Sequence, residues 1–445
     1  MEPARISVII PVLNDPQMLT RCLTAVAASH YRPYETIVVD DGSTRDIQQA
    51  TGTFDVTLLR VSAGPRGPGH ARNVGAAAAG GDVLLFVDAD VLIRPDTLKK
   101  VAEAFAAHPD IDAVFGSYDD EPATPDFISQ FKNLLHHFVH QQAKSEAETF
   151  WSGCGAVRRR VFMDSGGFDD KRYTRPSIED IELGYRLRAS GHRIMLSKSI
   201  QVKHLKRWTL RGLVSTDIFD RGVPWTVLIL ERRRLPNDLN VHMLQRLSAM
   251  LAYSMLLYVS LVAFYHNIVL LPLVAALFLI VVGGMNWSDE APLFALGSRR
   301  SALLSYALIL VIAGMAIAFD NPRVVPPLGL LFIGMVGSRW LPATGIVGQR
   351  FFFPVVLGAL AGCIIIMLSR FSFPIVAPLV GAAALIVVLN YRLYIFFARR
   401  RGLTFALAAL PMHLFYYSYA LVGLALGVVA FLTNGRKSRV PAGVA

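Results

Sequence analysis

The chain is poor in cysteine: Cys22, Cys154 and Cys363 are the only three in 445 residues, far apart and without paired spacing. That pattern excludes a disulfide framework and a cysteine metal cluster, and it suits a catalytic half that faces the cytosol. Acidic residues are also in deficit. Asp and Glu total 33 against 44 Lys and Arg, a formal net charge of +11. A basic chain suggests nucleic acid, yet these basic residues sit beside apolar blocks, at Arg232-Arg233-Arg234, Arg299-Arg300 and Arg399-Arg400-Arg401. They are not interleaved with aromatics over a polar surface, so no nucleic-acid partner is expected. The placement fits the cytoplasmic excess of arginine at membrane flanks and an attraction to anionic headgroups. The N-terminus enters directly into a strand pattern, so no cleavable signal peptide is expected.

Long apolar runs are missing from the first 235 or so residues and dominate the remainder. "LSAMLAYSMLLYVSLVAF", "IVLLPLVAALFLIVVGG", "ALLSYALILVIAGMAIAF", "FFFPVVLGALAGCIIIML" and "FPIVAPLVGAAALIVVL" each approach the roughly 20 residues that cross a bilayer core. Five such blocks in one half exceed what a soluble core holds, so residues 236–445 are expected to be membrane and residues 1–235 an α/β domain. Val325 to Val336 and Leu403 to Leu432 are further candidates, which makes six or seven spans. With seven, and the first half in the cytoplasm, the triplet at Arg399 falls inside; with six it falls outside, against the positive-inside tendency. In the seven-span arrangement the basic tail at Arg436, Lys437 and Arg439 falls outside. "NYRLYIFFARRRG" mixes aromatics with arginines and fits a segment lying along the inner surface. No pair of acids lies within the blocks, which gives a proton-coupled transporter little support.

In the first half, β-branched runs alternate with helical spacing. Ile6 to Pro11, "ETIVVDDGST", Val56 to Val61, "DVLLFVDAD" and "DAVFGS" read as strands. Met18 to Ala28, His70 to Ala79 and Asp96 to Ala107 read as helices. The alternation predicts a mostly parallel, doubly wound sheet, with ligands at the carboxyl ends of its strands. Two acidic clusters fall at that edge: Asp40-Asp41 after the second strand, and Asp88 and Asp90 after the fourth. An Asp-x-Asp leaving a buried strand offers hard oxygen ligands to a divalent cation that substrate phosphates complete. Either cluster alone is more often a solvated turn; two at equivalent edges of one sheet favour a site. In "PSIEDIELGYRLRASGHRI", Glu179 and Asp180 open a helical pattern. They suit either the positive end of the helix or a carboxylate that accepts a proton from an attacking hydroxyl. Gly153, Gly155, Gly166 and Gly167 suggest a close backbone approach to a ligand.

Taken in order, "SVIIPVLND", "IVVDDGST", "GPGHARNVGAAAAGGDVLLFVDAD", "GGFDD" and "EDIELGYRL" resemble the family 2 glycosyltransferases of GT-A fold, over roughly residues 5 to 225. The resemblance implies a UDP- or GDP-sugar donor and a divalent metal, Mg²⁺ or Mn²⁺. It places Asp41, Pro11, Asn14, Arg72 and Asp88 in donor binding. Asp88 and Asp90 would form the metal motif, with Asp90 as the direct ligand and His204 completing it. Asp180 would be the catalytic base, with Glu179 beside it. Processive members carry Gln-x-x-Arg-Trp after the base. This chain has Arg207-Trp208 without the glutamine, since Gln201 lies too far upstream. That argues against a polymer synthase that exports its product. Arg207, Trp208 and Arg221 fit either a border on acceptor or donor phosphates or a membrane-proximal collar. The expected activity is inverting transfer to a lipid-linked or cell-envelope glycan acceptor at the inner (plasma) membrane. A transporter with a nucleotide-sugar-sensing domain is the rival from another class, and the intact Asp180 makes it wasteful. "FISQFKNLLHHFVHQQ" reads as a core-facing helix or as one at the bilayer interface that feeds in a lipid. His136 and His140 have metal spacing but no third ligand in sequence, which leaves zinc little support.

Overall fold

The computed structural model describes residues 4–62, 64–236, 239, 242–265 and 373–434. The second, third and fourth apolar blocks, Val325 to Val336, the basic positions between Arg299 and Arg370 and those from Arg436 onward lie outside the described residues, so the choice between six and seven spans does too.

Strands β1 (Ile6–Val12), β2 (Tyr34–Asp40), β3 (Thr57–Arg60) and β4 (Val83–Val87) run parallel in the order β3-β2-β1-β4. Every residue of β1 and β4 is buried, as a sheet covered on both faces requires. One face packs against Leu19 and Leu23 of helix α1 (Pro16–Ala27). The other lies under Ala71 and Ala76 of α3 (Pro68–Ala78); α2 (Gln48–Thr51) is a single turn between them. Helix α1 starts two residues before the predicted Met18, because Asp15 caps it by accepting from the Met18 N–H at 3.1 Å and Pro16 occupies its first turn.

Beyond β4 the sheet turns mixed. After the two-residue β5 (Val91–Leu92) and helix α4 (Thr97–Ala107) comes β6 (Ala113–Tyr118). Helix α5 (Phe127–Gln142), β7 (Glu146–Ala147) and β8 (Cys154–Arg158) follow, then α6 (Arg159–Asp164), α7 (Glu179–Ala189) and the long β9 (Ile194–His204). Strand β8 is wedged antiparallel between β4 and β6, while β9 runs parallel to β6 and antiparallel to β5 and β7. The expected α/β domain with a mostly parallel sheet, followed by helices, is present. Gly153 precedes β8 and Gly155 lies within it, where each allows a close approach of the chain's own atoms. A Cβ on Gly155 would stand 2.2 Å from the Trp151 carbonyl oxygen, and one on Gly153 2.4 Å from the Trp151 ring. The close neighbours are the protein's own.

The C-terminal helices are α8 (Leu210–Ser215), a π-helical turn (Thr216–Gly222), α9 (Val223–Arg232), α10 (Met243–Tyr265), α11 (Phe373–Leu389), α12 (Tyr391–Arg401) and α13 (Leu403–Asn434). Two of them, α10 and α13, are long and apolar enough to cross a membrane, and a third span arises if α11 and α12, bent by 67°, count as one. Leu257, Leu261, Val380, Val388, Val429 and Leu432 point outward from these helices. The apolar face of α5 is covered by protein. Ile128, Phe131 and Leu134 pack with Trp208, Leu213, Leu393 and Phe397, which favours the core-facing reading over the interfacial one.

Helix α12 lies against the sheet domain. Arg400 pairs with Asp120 at 2.6 Å, and Arg401 donates to the Asp120 carbonyl at 3.0 Å. The arginine triplet therefore shares a side with the α/β domain. A cysteine at Gly402 and one at the exposed Lys144 should both resist, or both accept, a membrane-impermeant thiol reagent in intact cells. Opposite labelling of the two positions would contradict the packing of α12.

Candidate active site

The carboxyl edge of β1, β2 and β4 gathers the acids that the sequence singles out. Asp41 follows β2 and is buried. Its two carboxylate oxygens accept from the backbone N–H of Arg66 at 3.0 Å and of Gly67 at 2.8 Å. Burial raises its pKa, and the two N–H groups only partly oppose that. Gly67 is required at this turn: its φ is +93°, and a Cβ there would meet the Thr174 carbonyl at 2.7 Å. Pro11 sits near the end of β1 opposite Val39. Asn14, at φ 58°, orders the loop beside Asp41: its Oδ1 accepts from the N–H of Thr44 at 2.7 Å, and its own N–H donates to Ser43 Oγ at 2.8 Å.

Arg72 ties the second cluster to the third. It projects from α3 with 4% of its side chain exposed. It donates to Asp88 Oδ1 at 2.6 Å through one nitrogen and to Glu179 Oε1 at 2.9 Å through another. Burial works against the guanidinium's charge, but the two carboxylates outweigh it and the Arg72 pKa rises. Glu179 also accepts from the Ser177 N–H at 3.0 Å, so both its oxygens are engaged.

Asp180, one residue on, is partly exposed and faces another set of groups. Its Oδ2 accepts from the N–H of Ser152 at 3.0 Å and from that residue's hydroxyl at 3.2 Å. Burial pulls its pKa above the ordinary aspartate value against these bonds and the charges of Arg72 and Arg221. The Asp180 Oδ1 accepts from the Ile181 N–H at 2.8 Å, so both acids have both oxygens engaged, and what separates them is the ion pair with Arg72 that Glu179 carries.

Asp90 lies just beyond β4, with its Oδ2 3.4 Å from Nε2 of His204 at the end of β9. Burial pushes this carboxyl up, but the His204 contact and the Lys206 charge reverse that and hold it below the usual aspartate range. The ring of Tyr118 stacks on His204 at 4.1 Å and 8°. No group of three or more His, Cys, Asp or Glu side chains suited to a metal occurs among the described residues. The pair nonetheless fits a divalent cation that phosphates complete: two adjacent ligands about 2.1 Å from one octahedral ion stand about 3 Å apart. Asp88, already bonded to Arg72, is the less available of the two motif aspartates.

The remaining residues divide. Trp208 is buried among Leu210, Leu213 and Phe397, with Lys206 over its ring at 4.3 Å. Arg207 is exposed and lies 3.8 Å from Asp126. Arg221 stands on the π-helical turn 3.7 Å from Asp217, and its charge reaches Asp180 and Tyr118. Of the three, Arg221 is the one whose field acts on the acids. His136 and His140 stack on each other at 3.9 Å, and His140 bonds the Gly116 carbonyl at 3.1 Å. Sequence reasoning missed Ser152 and Tyr118, which only the pairing of distant strands brings to the edge.

Residues 7–166 match the profile of Glycosyl transferase family 2. An uncharacterized glycosyltransferase of Haemophilus influenzae is 25% identical over 219 residues, covering 48% of this chain and 71% of its own length. A glucosyl-dolichyl phosphate glucuronosyltransferase of Haloferax volcanii is 23% identical, over 42% of this chain and 64% of that one. Among solved structures, a mannosyltransferase from Pyrobaculum calidifontis in complex with GDP-Man and Mn²⁺ aligns with 18% identity and a TM-score of 0.41, covering 92% of this chain and 86% of that one.

Removing Arg72 would strand Glu179 as an uncompensated buried charge. Arg72→Met should cost about 3–5 kcal/mol, as when one partner of a buried pair is deleted. Thermal unfolding of the purified chain should show a clearly lower midpoint. A midpoint equal to wild type would mean that Glu179 is not held by this pair.

Proposed function

From the premise that residues 7–166 are a family 2 glycosyltransferase domain in a transferase enzyme, we propose that the chain is a membrane-bound inverting glycosyltransferase. It moves a sugar from a UDP- or GDP-sugar to a lipid-linked or cell-envelope glycan acceptor. Residues 1–235 form the cytoplasmic catalytic domain, and residues 236–445 the multi-pass region in the plasma membrane. The observation that carries this reading is the division of labour along one sheet edge: Asp41, the Asp90–His204 pair and Asp180 lie around the Arg72 bridge, each in a different electrostatic setting. The outward-facing apolar side chains of α10, α11 and α13 support a membrane setting.

In this reading Asp41 receives the nucleoside, with Pro11 and Asn14 shaping its pocket. Asp90 and His204 hold the divalent cation, with Asp88 and Arg72 behind them. When bound there, a divalent cation supplies charge neutralisation at the departing diphosphate. Asp180, with Ser152 fixing one oxygen, accepts the proton of the acceptor hydroxyl. That oxygen forms its bond to the anomeric carbon while the bond to the nucleoside diphosphate breaks, and the configuration inverts. Glu179 is ion-paired with the buried Arg72 and serves as its counter-charge.

Nucleoside-diphosphate release from a panel of nucleotide sugars, with membrane lipid extract as acceptor, tests the transfer. Activity should disappear with a chelator and return with Mg²⁺ or Mn²⁺, and Asp90→Ala should lose metal-dependent nucleotide binding by calorimetry. Full turnover in chelator with an unimpaired Asp90→Ala variant would sink the metal assignment.

The base assignment has its own test. Asp180→Asn should keep donor binding and lower transfer to a hydroxyl about a hundredfold or more. Because the Asp180 pKa is raised and the base must be ionised, turnover should fall on acidification at a pH above the ordinary aspartate value of about 3.9. Normal turnover by the asparagine variant would show that Asp180 is not the base.

A further inference from the structure

The seam between the sheet and the C-terminal helices is built around a carboxylate that the proposed reaction does not use. Asp217 lies in the π-helical turn with 8% of its side chain exposed. Lys132 of α5 donates to both its oxygens, at 2.8 and 2.9 Å, and the hydroxyl of Tyr419 on α13 donates to Oδ2 at 3.0 Å. The other side of the same turn holds the loop that leads into α7. Ser177 Oγ donates to the Asp220 carbonyl at 2.7 Å, and Arg175 pairs with the Asp220 carboxylate at 3.0 Å. The Ser177 N–H in turn donates to Glu179.

A continuous path of hydrogen bonds and backbone therefore runs from a candidate membrane helix to the two acids. Tyr419 meets Asp217, the π-helical turn carries the connection to Asp220, and Ser177 passes it to Glu179 beside Asp180. The elements meet closely: a Cβ on Gly222, the last residue of the turn, would stand 3.3 Å from the Cα of Gly423. A π-helical turn is rare and occurs frequently at functional sites. A buried ion pair also adds little net stability, since desolvation offsets attraction, but it favours one arrangement over others.

We propose that Asp217 is a positioning residue that fastens the π-helical turn to α5 and α13, and so fixes the Thr174–Asp180 loop in the geometry the acceptor-side acids need. The inference rests on the reading of Asp180 as the base, but the wiring itself is measured independently of turnover. Asp217→Asn keeps the volume and removes the counter-charge of Lys132. Tyr419→Phe removes a single hydroxyl and keeps the ring, so it serves even if the first variant does not fold.

Hydrogen exchange by mass spectrometry on the full chain in lipid nanodiscs reads the loop directly. Amides of residues 174–182 should exchange about fivefold faster in Tyr419→Phe, and at least as fast in Asp217→Asn, with β1 to β4 unchanged. In the transfer assay kcat should fall about tenfold while the donor KM stays within about twofold, a split that a general loss of stability would not give. Unchanged exchange at 174–182 in both variants overturns the wiring, and a loosened loop with wild-type kcat overturns its link to catalysis. Absence of nucleoside-diphosphate release by the wild type would instead sink the transferase reading and leave the exchange result to decide the role of Asp217.

Discussion

The guanidinium of Arg72, between Asp88 and Glu179, is the contact on which the rest of the site depends. It joins the end of β4, the first turns of α3 and the start of α7, elements with no shared hydrogen-bond ladder. A cation buried this deeply is tolerable only with close carboxylate partners, and the equally buried Glu179 in turn needs a cation. The pairing also distinguishes the acids of each motif. Glu179 and Asp88 are ion-paired with Arg72, whereas Asp180 accepts from Ser152 and the Ile181 N–H and Asp90 faces His204. Arginine suits this place better than lysine would, because its planar fork reaches two carboxylates from one side chain.

The antiparallel strand β8 explains why the site closes on itself. It brings Ser152 and Gly153 alongside β4, so that the Gly153 carbonyl accepts from the Asp88 N–H at 3.3 Å and Ser152 reaches Asp180. Helix α5 then caps β6 and β9 from one side and meets the C-terminal helices on the other, through Phe131 against Phe397. The sheet domain and α12 thus share apolar packing as well as the Arg400–Asp120 pair.

Much of the parallel half was readable from pattern. The β-branched runs at Ile6, Thr36 and Val83 lie in strands buried on both faces, and such strands need no partner-specific information to be recognised. The acids at their carboxyl ends follow from the rule that open α/β sheets bind there. What escaped reading depends on distant pairing. "CGAVR" has no signal for an antiparallel central strand, and its glycines answer to Trp151 and Phe150, which sit close by only after folding. Asp217 lay within "DIFDRGVPW", where Arg221 drew attention, and only the arrival of Lys132 and Tyr419 shows why the acid is there. Helix α1 begins two residues before its apolar periodicity does, because Asp15 and Pro16 carry the capping signal.

Identical residue types acquire different chemistry along this edge through their surroundings alone. Asp41 is held by two backbone N–H groups yet raised by burial; Asp90 also loses water on folding but is lowered, because it is hydrogen-bonded by His204 and lies near the Lys206 charge. Asp180 is raised, as Arg72 and Arg221 only partly offset its desolvation. A proton acceptor benefits from a raised value and a cation ligand from a lowered one, since the first must bind a proton during reaction and the second must not. Under the proposed roles, the ordering of a raised Asp180 and a lowered Asp90 suits those two tasks. It arises from the placement of Arg72, His204 and Lys206 rather than from anything in the aspartates themselves.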